Sequence, residues 1–101
     1  MELSELTHEA WARLVGELFT VRLDDGSVLT LELSSAERAA GENRTDGAYS
    51  VVFTGPLDVA LPQRTWPMTH PEIGEHDIFL VPVNRDTDGY QYEAVFTRFE
   101  V

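Results

Sequence analysis

The stretch that decides the fold is Glu17–Ser34, which reads ELFTVRLDDGSVLTLELS. Apolar residues occupy every second position on both sides of an acidic centre: Phe19, Val21 and Leu23 before it, and Leu29, Leu31 and Leu33 after it. This period of two gives each of two strands one apolar face. Asp25-Gly26 supplies the positive φ that a short hairpin turn requires. The stretch therefore predicts a β-hairpin.

The rest of the chain predicts one short helix and four more strands. Thr7 is a suitable N-cap for a helix over about residues 7–15, and Gly16 is a suitable stop. Alternating or apolar segments predict strands at residues 49–54, 64–69, 78–83 and 90–96, and residues 39–47 predict a solvated loop. Hairpin connections throughout favour a mainly β fold, either a small antiparallel six-stranded barrel or a two-sheet sandwich. We expect residues 1–101 to form a single β domain with strands over about residues 17–98.

The charge balance restricts the classes of partner. Eighteen acidic residues against seven basic ones give a formal net charge of -11, and every basic residue is Arg. Nucleic acids and anionic membranes are bound by clustered Lys and Arg, so we expect neither as a partner. The acid excess either keeps a small domain soluble or forms a face for a basic partner, and charge alone does not decide between the two.

Two further features bear on location. The chain has no cysteine, which removes disulfides, thiolate metal sites and cysteine nucleophiles and fits a reducing compartment. The start Met1–Glu5 carries acid where a signal peptide carries base, and no apolar run is long enough to span a bilayer. We therefore expect a cytoplasmic protein that is neither exported by a signal peptide nor embedded in a membrane.

Motifs for catalysis and cofactor binding are missing. No serine lies in a Gly-x-Ser-x-Gly turn, and the glycines form no phosphate-binding loop. One dense set of possible metal ligands or acid/base groups lies within residues 70–77: His70, Glu72, Glu75, His76 and Asp77. We interpret these residues as turn and strand chemistry rather than as a native metal site. The sequence therefore predicts no catalytic residue, no cofactor and no metal.

Trp66 is the aromatic residue whose role the sequence leaves open. It lies in Arg64–Thr69, which we predict to be an edge strand because Pro67 cannot donate to a central ladder. Trp66 either packs in the core or belongs to a contact surface. In the second case a protein partner, or a second copy of the chain, would dock against Trp66, Met68 and Ile73. Trp11, in contrast, is expected in the core.

Several short motifs, in a fixed order along nearly the whole chain, together resemble a known family. They are Leu6, Leu14-Val15-Gly16-Glu17, Phe19 and Val21, then Phe53-x-Gly55-Pro56, Leu61-Pro62-Gln63, His70-Pro71-Glu72-x-Gly74, Phe79-Leu80-Val81-Pro82-Val83 and Tyr92-Glu93-Ala94-Val95-Phe96. The chain resembles an uncharacterised bacterial family, a domain of unknown function of about this length, often encoded near phage-tail-collar-like proteins. The resemblance implies a β domain in a tail-derived or surface assembly. It implies no reaction and no site residue.

Three hypotheses on function follow. The first is a non-enzymatic interaction or structural module that associates with a protein partner or with itself, in a phage-tail-like or surface assembly. The second is a β-barrel that binds a small ligand or a carbohydrate. An enzyme is the third. A flat exposed apolar patch on a closed core favours the first hypothesis, and a deep cavity with converging polar groups favours the second.

Overall fold

The computed structural model describes residues 6–38 and 49–96. Its elements are α1 (His8–Ala12), β1 (Leu18–Arg22), β2 (Val28–Arg38), β3 (Tyr49–Gly55), β4 (Arg64–His70), β5 (Gly74–Asp86) and β6 (Gly89–Phe96). All neighbouring strands are antiparallel and form a closed barrel in the order β1-β2-β3-β6-β5-β4. This confirms the mainly β class and selects the barrel over the sandwich. The loop predicted at 39–47 and residues 97–98 of the last strand lie outside the described residues.

The hairpin of β1 and β2 forms as the alternation predicts. Phe19 lies opposite Leu31, and both side chains are buried inside the barrel. In the turn, the N–H of Gly26 donates to the carbonyl of Leu23 over 3.0 Å, and Gly26 has a φ of 88°. Asp25 does not take a positive φ, so Gly26 alone supplies the left-handed residue. This is a turn closed by a glycine in the left-handed region, a frequent hairpin geometry.

Helix α1 closes one end of the barrel, which we call the helix end. Its N-cap is Thr7, as predicted, and the Thr7 hydroxyl accepts from the N–H of Ala10 over 3.1 Å. The helix has five residues and is shorter than the 7–15 predicted, because Arg13–Gly16 form a turn. Within the described residues, no helix combines the length and apolar character needed to cross a bilayer.

Aromatic rings fill the helix end. Trp11 is fully buried and is stacked on Phe19 and on Phe96, with ring centroids 5.9 and 5.6 Å apart. It also meets the ring of Phe53 edge-on at 6.3 Å. Such ring pairs add to the stabilisation that comes from burying their apolar area. The prediction that Trp11 lies in the core is confirmed.

The segment 56–63 connects β3 to β4 and closes the opposite end, which we call the crossover end. The buried hydroxyl of Tyr92 accepts from the N–H of Leu61 over 3.0 Å. The same hydroxyl donates to the carbonyl of Val59 over 3.5 Å. Leu61 is buried among the core side chains, so this segment is held over the barrel by both packing and hydrogen bonds.

Two glycines allow the backbone to come close together at the crossover end. Gly89 begins β6 with a φ of 147°, and a Cβ added there would collide with the carbonyl oxygen of Gly55. A Cβ at Gly55 would lie 2.5 Å from the Leu31 side chain. Gly89 therefore requires glycine because of its backbone contact and its conformation. At Gly55 a larger residue would have to displace the buried Leu31 side chain.

Strand β4 is not an edge strand, so that prediction is wrong. It pairs with β5 from Arg64 to His70 and with β1 through the pairs Thr20–Thr69 and Val21–Met68. The curvature of the sheet brings the first strand to β4 and closes the barrel. The β1 ladder ends where Pro67 would be the next β4 residue, which is consistent with a missing donor.

Strand β5 is longer than the predicted 78–83 and extends beyond its neighbour. Because β4 begins at Arg64, opposite Leu80, residues 81–86 of β5 pair only with β6 among the residues that the structure describes. The register of β5 against β6 shifts between Pro82 and Asn84, which marks a bulge. One side of the distal half of β5 therefore has no strand partner in the part of the chain that the structure describes.

Candidate functional site

His70 is buried under the turn between β4 and β5. Its Nδ1 accepts from the N–H of Glu72 over 3.1 Å. In a neutral ring the proton then lies on Nε2, which donates to the carboxylate of Glu17 over 2.7 Å. The ring also packs on Phe19, with centroids 4.7 Å apart. Both nitrogens of His70 are thus engaged in holding the fold.

The other members of the set at residues 70–77 do not converge on His70. His76 donates from Nε2 to the carbonyl of Ile73 over 2.7 Å, and Glu75 forms an ion pair with Arg22 at 3.1 Å. Strand alternation places Glu75 and Asp77 on the outer face of β5, whereas His70 lies inside the barrel. Within residues 6–38 and 49–96, no three His, Cys, Asp or Glu side chains are arranged to hold a metal ion.

The three residues predicted as a partner contact, Trp66, Met68 and Ile73, have buried side chains. Trp66 packs in the core, donates from Nε1 to the carbonyl of Pro62 over 3.1 Å, and lies under the guanidinium of Arg64 at 3.9 Å. Of the two roles left open for Trp66, packing is the one that the structure shows. A surface available to a partner must therefore be sought among other residues.

Exposed apolar side chains lie on the outer face of β5 and β6. Phe79 is 50% exposed and Val95 is 62% exposed, while Val81 is half-buried. Val81 pairs with Glu93, and Phe79 and Val95 occupy the next outward positions beyond that pair on their strands. We call Phe79, Val81 and Val95 the β5–β6 patch. It is the candidate functional surface of the domain.

The sequence contains a signal for this patch. Four consecutive residues of β5, from Ile78 to Val81, are apolar, so both faces of the strand carry apolar side chains. Ile78 and Leu80 point inward and are buried. Because the outer face of this barrel is not covered by another described layer, Phe79 and Val81 remain on the surface. The apolar run identifies a strand correctly. Only the closed barrel shows that the face with Phe79 and Val81 has no other described layer packed on it.

Acidic side chains border the β5–β6 patch. Asp77 is exposed and precedes Phe79 by two residues on the outer face of β5. Glu93 lies between Val81 of β5 and Val52 of β3, since it pairs with both. Neither carboxylate forms an ion pair within the described part of the chain. The patch therefore combines apolar area with uncompensated negative charge.

An open cleft of about 290 Å³ lies at the crossover end, lined by Leu57, Arg85, Asp86 and Thr87. The guanidinium of Arg85 lies over the Tyr90 ring at 5.5 Å. Small-molecule pockets normally enclose most of the ligand surface. A cleft with one apolar wall and charged neighbours encloses little, so it is the weaker candidate site.

The titratable groups with displaced pKa values stabilise the fold. Burial raises the pKa of the Tyr92 phenol, and the hydrogen bond from the Leu61 N–H opposes that rise only in part. The phenol therefore stays neutral and keeps its proton for the Val59 carbonyl. The hydrogen bond from Arg64 lowers the pKa of the Asp24 carboxyl on the surface. Neither group faces the β5–β6 patch or the cleft.

Residues 6–96 match the family model described as Domain of unknown function (DUF6916). The chain belongs to the DUF6916 family. The match includes α1 and all six strands of this DUF6916 barrel, and it confirms the resemblance to an uncharacterised domain family. No curated protein and no solved structure matches the chain.

Proposed function

We propose that this DUF6916 domain is a non-enzymatic interaction module that binds a protein partner through the outside of its barrel. The observation that carries the proposal is the exposure of Phe79 and Val95 at the outer positions of β5 and β6 that follow the Val81–Glu93 pair. Contiguous apolar side chains on a protein surface are typical of binding sites for other proteins.

The filled interior supports a binding site on the outside. The barrel contains large buried side chains: Trp11, Phe19, Phe53 and Tyr92 are all fully buried. In a small barrel, side chains of this size occupy the space that a wider barrel offers to a ligand. His70 uses both ring nitrogens within the fold, and His76 uses its Nε2, which favours binding over catalysis.

The proposed setting is a phage-tail-like or surface assembly in the cytoplasm. This part of the proposal rests on the family resemblance, because members of the resembled family are often encoded near phage-tail-collar-like proteins. The absence of cysteine fits a reducing compartment. An assembly of this type needs small domains that bind other proteins without carrying out chemistry.

The test is affinity capture from the native host at physiological salt, followed by footprinting of each captured complex. The control bait is an unrelated acidic protein of similar size and charge. We expect a partner that saturates this domain, does not bind the control, and protects outer-face side chains from hydroxyl radicals. If every captured protein binds the control equally well, the proposal is wrong.

A small-ligand or carbohydrate-binding barrel is the second candidate, and the cleft beside Leu57 and Arg85 favours it. A ligand that binds only the folded state must raise the melting temperature as its concentration increases. Titration with a panel of sugars and small anions tests this function. A saturable rise that Arg85→Ala abolishes would select this candidate over the protein-binding module.

A further inference from the structure

We infer that the β5–β6 patch binds a partner segment in which an apolar side chain is flanked by Arg or Lys. The inference rests on the proposed function and specifies the surface and the chemistry of the partner. Phe79, Val81 and Val95 provide the apolar contact, and Asp77 and Glu93 provide two negative charges at its border. The apolar side chains and the two carboxylates together determine which partner the patch binds.

The apolar part of the site is centred on Phe79. Its ring is half exposed on the outer face of β5, and Thr65 of β4 is its neighbour on one side. An exposed aromatic ring next to aliphatic side chains is a common anchor of protein interfaces. A partner residue placed on this ring removes apolar area from water, which is the main source of binding energy here.

The acidic border determines which partner fits. Asp77 and Glu93 have no ion pair among the described residues, whereas two of the described arginines, Arg22 and Arg64, are bound to Glu75 and Asp24. A basic side chain of the partner therefore meets free carboxylates. Arg is favoured over Lys because its planar guanidinium can stack on Phe79 while it binds Asp77.

The same charges exclude a second copy as the occupant. A symmetric dimer through this patch would place Asp77 and Glu93 of one copy near the same residues of the other. Each copy also carries a formal net charge of -11. Like charges brought together at an interface oppose association, so the patch selects a basic partner over self-association.

The test uses a displayed library of random peptides selected on the immobilised domain at physiological salt, with Phe79→Ser as the counter-selection bait. The best peptide is then synthesised and its affinity is measured for four variants. Leu18→Ser is the matched apolar control, because Leu18 is 61% exposed on the outer face of β1. The pair Asp77→Asn, Glu93→Gln is matched by Glu32→Gln, Asp58→Asn, which removes two charges elsewhere.

We expect the selected peptides to contain an aromatic or large aliphatic residue next to Arg or Lys. Phe79→Ser should weaken binding about tenfold or more, while Leu18→Ser should leave it unchanged. Asp77→Asn, Glu93→Gln should weaken binding more than the control pair does, and the difference should shrink as salt is added. Melting curves establish that all four variants fold.

Three outcomes would overturn the inference: no peptide survives counter-selection, the peptides lack basic residues, or the control variants lose as much affinity as the patch variants. Each of these outcomes is compatible with the proposed function if a captured partner protects another part of the outer face from hydroxyl radicals. Conversely, a captured partner whose binding requires Phe79 but is insensitive to Asp77 and Glu93 would keep the surface and reject the basic chemistry.

Discussion

The two ends of the barrel are closed by different kinds of interaction. At the helix end, Trp11 stacks between Phe19 and Phe96, so the closure consists of apolar ring surface. At the crossover end, the hydroxyl of Tyr92 bonds the segment 56–63, and Gly89 lies directly against the backbone of β3. One end depends on buried area and the other on directional bonds and close backbone approach.

This difference determines what each end tolerates. Burial of apolar surface is non-directional, so the helix end should accept another large apolar residue with a modest loss of stability. Hydrogen bonds and backbone contacts depend on position, so small changes at the crossover end should have large effects relative to their size. Substitutions at Trp11 therefore probe buried area, and substitutions at Gly89 and Tyr92 probe contacts that depend on position.

Trp11→Ala should have the largest effect, a loss of about 3–5 kcal/mol in the free energy of unfolding. The substitution leaves a cavity among Phe19, Phe53 and Phe96. Urea titration followed by circular dichroism measures the loss. Phe79→Ala is the control, because its exposed ring should contribute less than about 0.5 kcal/mol.

Trp11→Phe sharpens this prediction. The Trp11 indole N–H is buried and has no hydrogen-bond partner among the described residues, so phenylalanine removes an unpaired donor as well as some volume. The loss should therefore be much smaller than for alanine. Equal losses for both substitutions would contradict buried ring area as the source of stability at the helix end.

Gly89→Ala should be the next most damaging change, with a loss of about 3 kcal/mol. The new Cβ would meet the carbonyl oxygen of Gly55, and neither backbone can move without breaking the β3–β6 ladder. Gly26→Ala is the matched control. Gly26 also has a positive φ but has open space around it, so only the conformational cost of about 1–2 kcal/mol applies. Equal losses would refute close approach as the cause.

Tyr92→Phe removes one oxygen atom from the crossover end and should cost about 1–3 kcal/mol, because the buried N–H of Leu61 then has no acceptor. Urea titration measures this loss as well. Phe53→Leu is a useful comparison, since it alters the facing residue on β3 without changing a polar group. A loss for Tyr92→Phe that is within error of zero would mean that packing alone holds the segment.

The pH dependence of the same variant provides a second measurement. The pKa of Tyr92 is higher in the folded state than its usual value of 10.0. The unfolded chain therefore releases the proton first, and the stability due to this group is present below pH 10 and lost as the pH rises through the folded pKa. Wild type should lose more stability above pH 10 than Tyr92→Phe does. Parallel alkaline unfolding curves would contradict this prediction.

Asp24→Asn should have the smallest effect. Asp24 accepts two hydrogen bonds from Arg64, at 2.6 and 2.9 Å, and the contact joins the first hairpin to β4 on the exposed surface. The pKa of Asp24 is lowered, so its contribution is present above the unfolded value of 3.8 and lost as the pH falls through the folded pKa. The stability difference between wild type and variant should shrink at acid pH and in high salt. A difference that is the same at all pH values would contradict the ion pair as its source.

Local features of the fold were predictable from the sequence, and features that depend on distant pairing were not. The hairpin at Asp25-Gly26 and the cap at Thr7 follow from adjacent residues. Closure of the barrel depends on the pairing of Thr20 with Thr69, and Pro67 alone suggests an edge strand instead. The β1–β4 ladder stops just before Pro67, but the sequence does not show that β1 lies across from Met68 and Thr69.

The candidate site shows the same contrast between local features, which the sequence predicts, and distant contacts, which it does not. The sequence places His70 and His76 close together along the chain. It does not show that Nε2 of His70 bonds to the Glu17 carboxylate, or that Nε2 of His76 bonds to the Ile73 carbonyl. It also leaves the role of Trp66 open between core packing and partner contact, and the barrel turns that side chain inward. Phe79 lies within an apolar run of the kind that buried strands contain. Its ring faces solvent because no other described layer packs on the outer face of the barrel.

The distal half of β5 has a further consequence for self-assembly. A strand with one unpaired side can recruit the same strand of another molecule, and repeated addition produces fibres. Here Pro82 removes one donor, the shift before Asn84 bends the strand, and Arg85 and Asp86 place charges at its tip. Like-charged copies also repel one another. These features oppose the repeated strand addition along β5 that produces fibres, so we expect crowded copies to remain discrete particles.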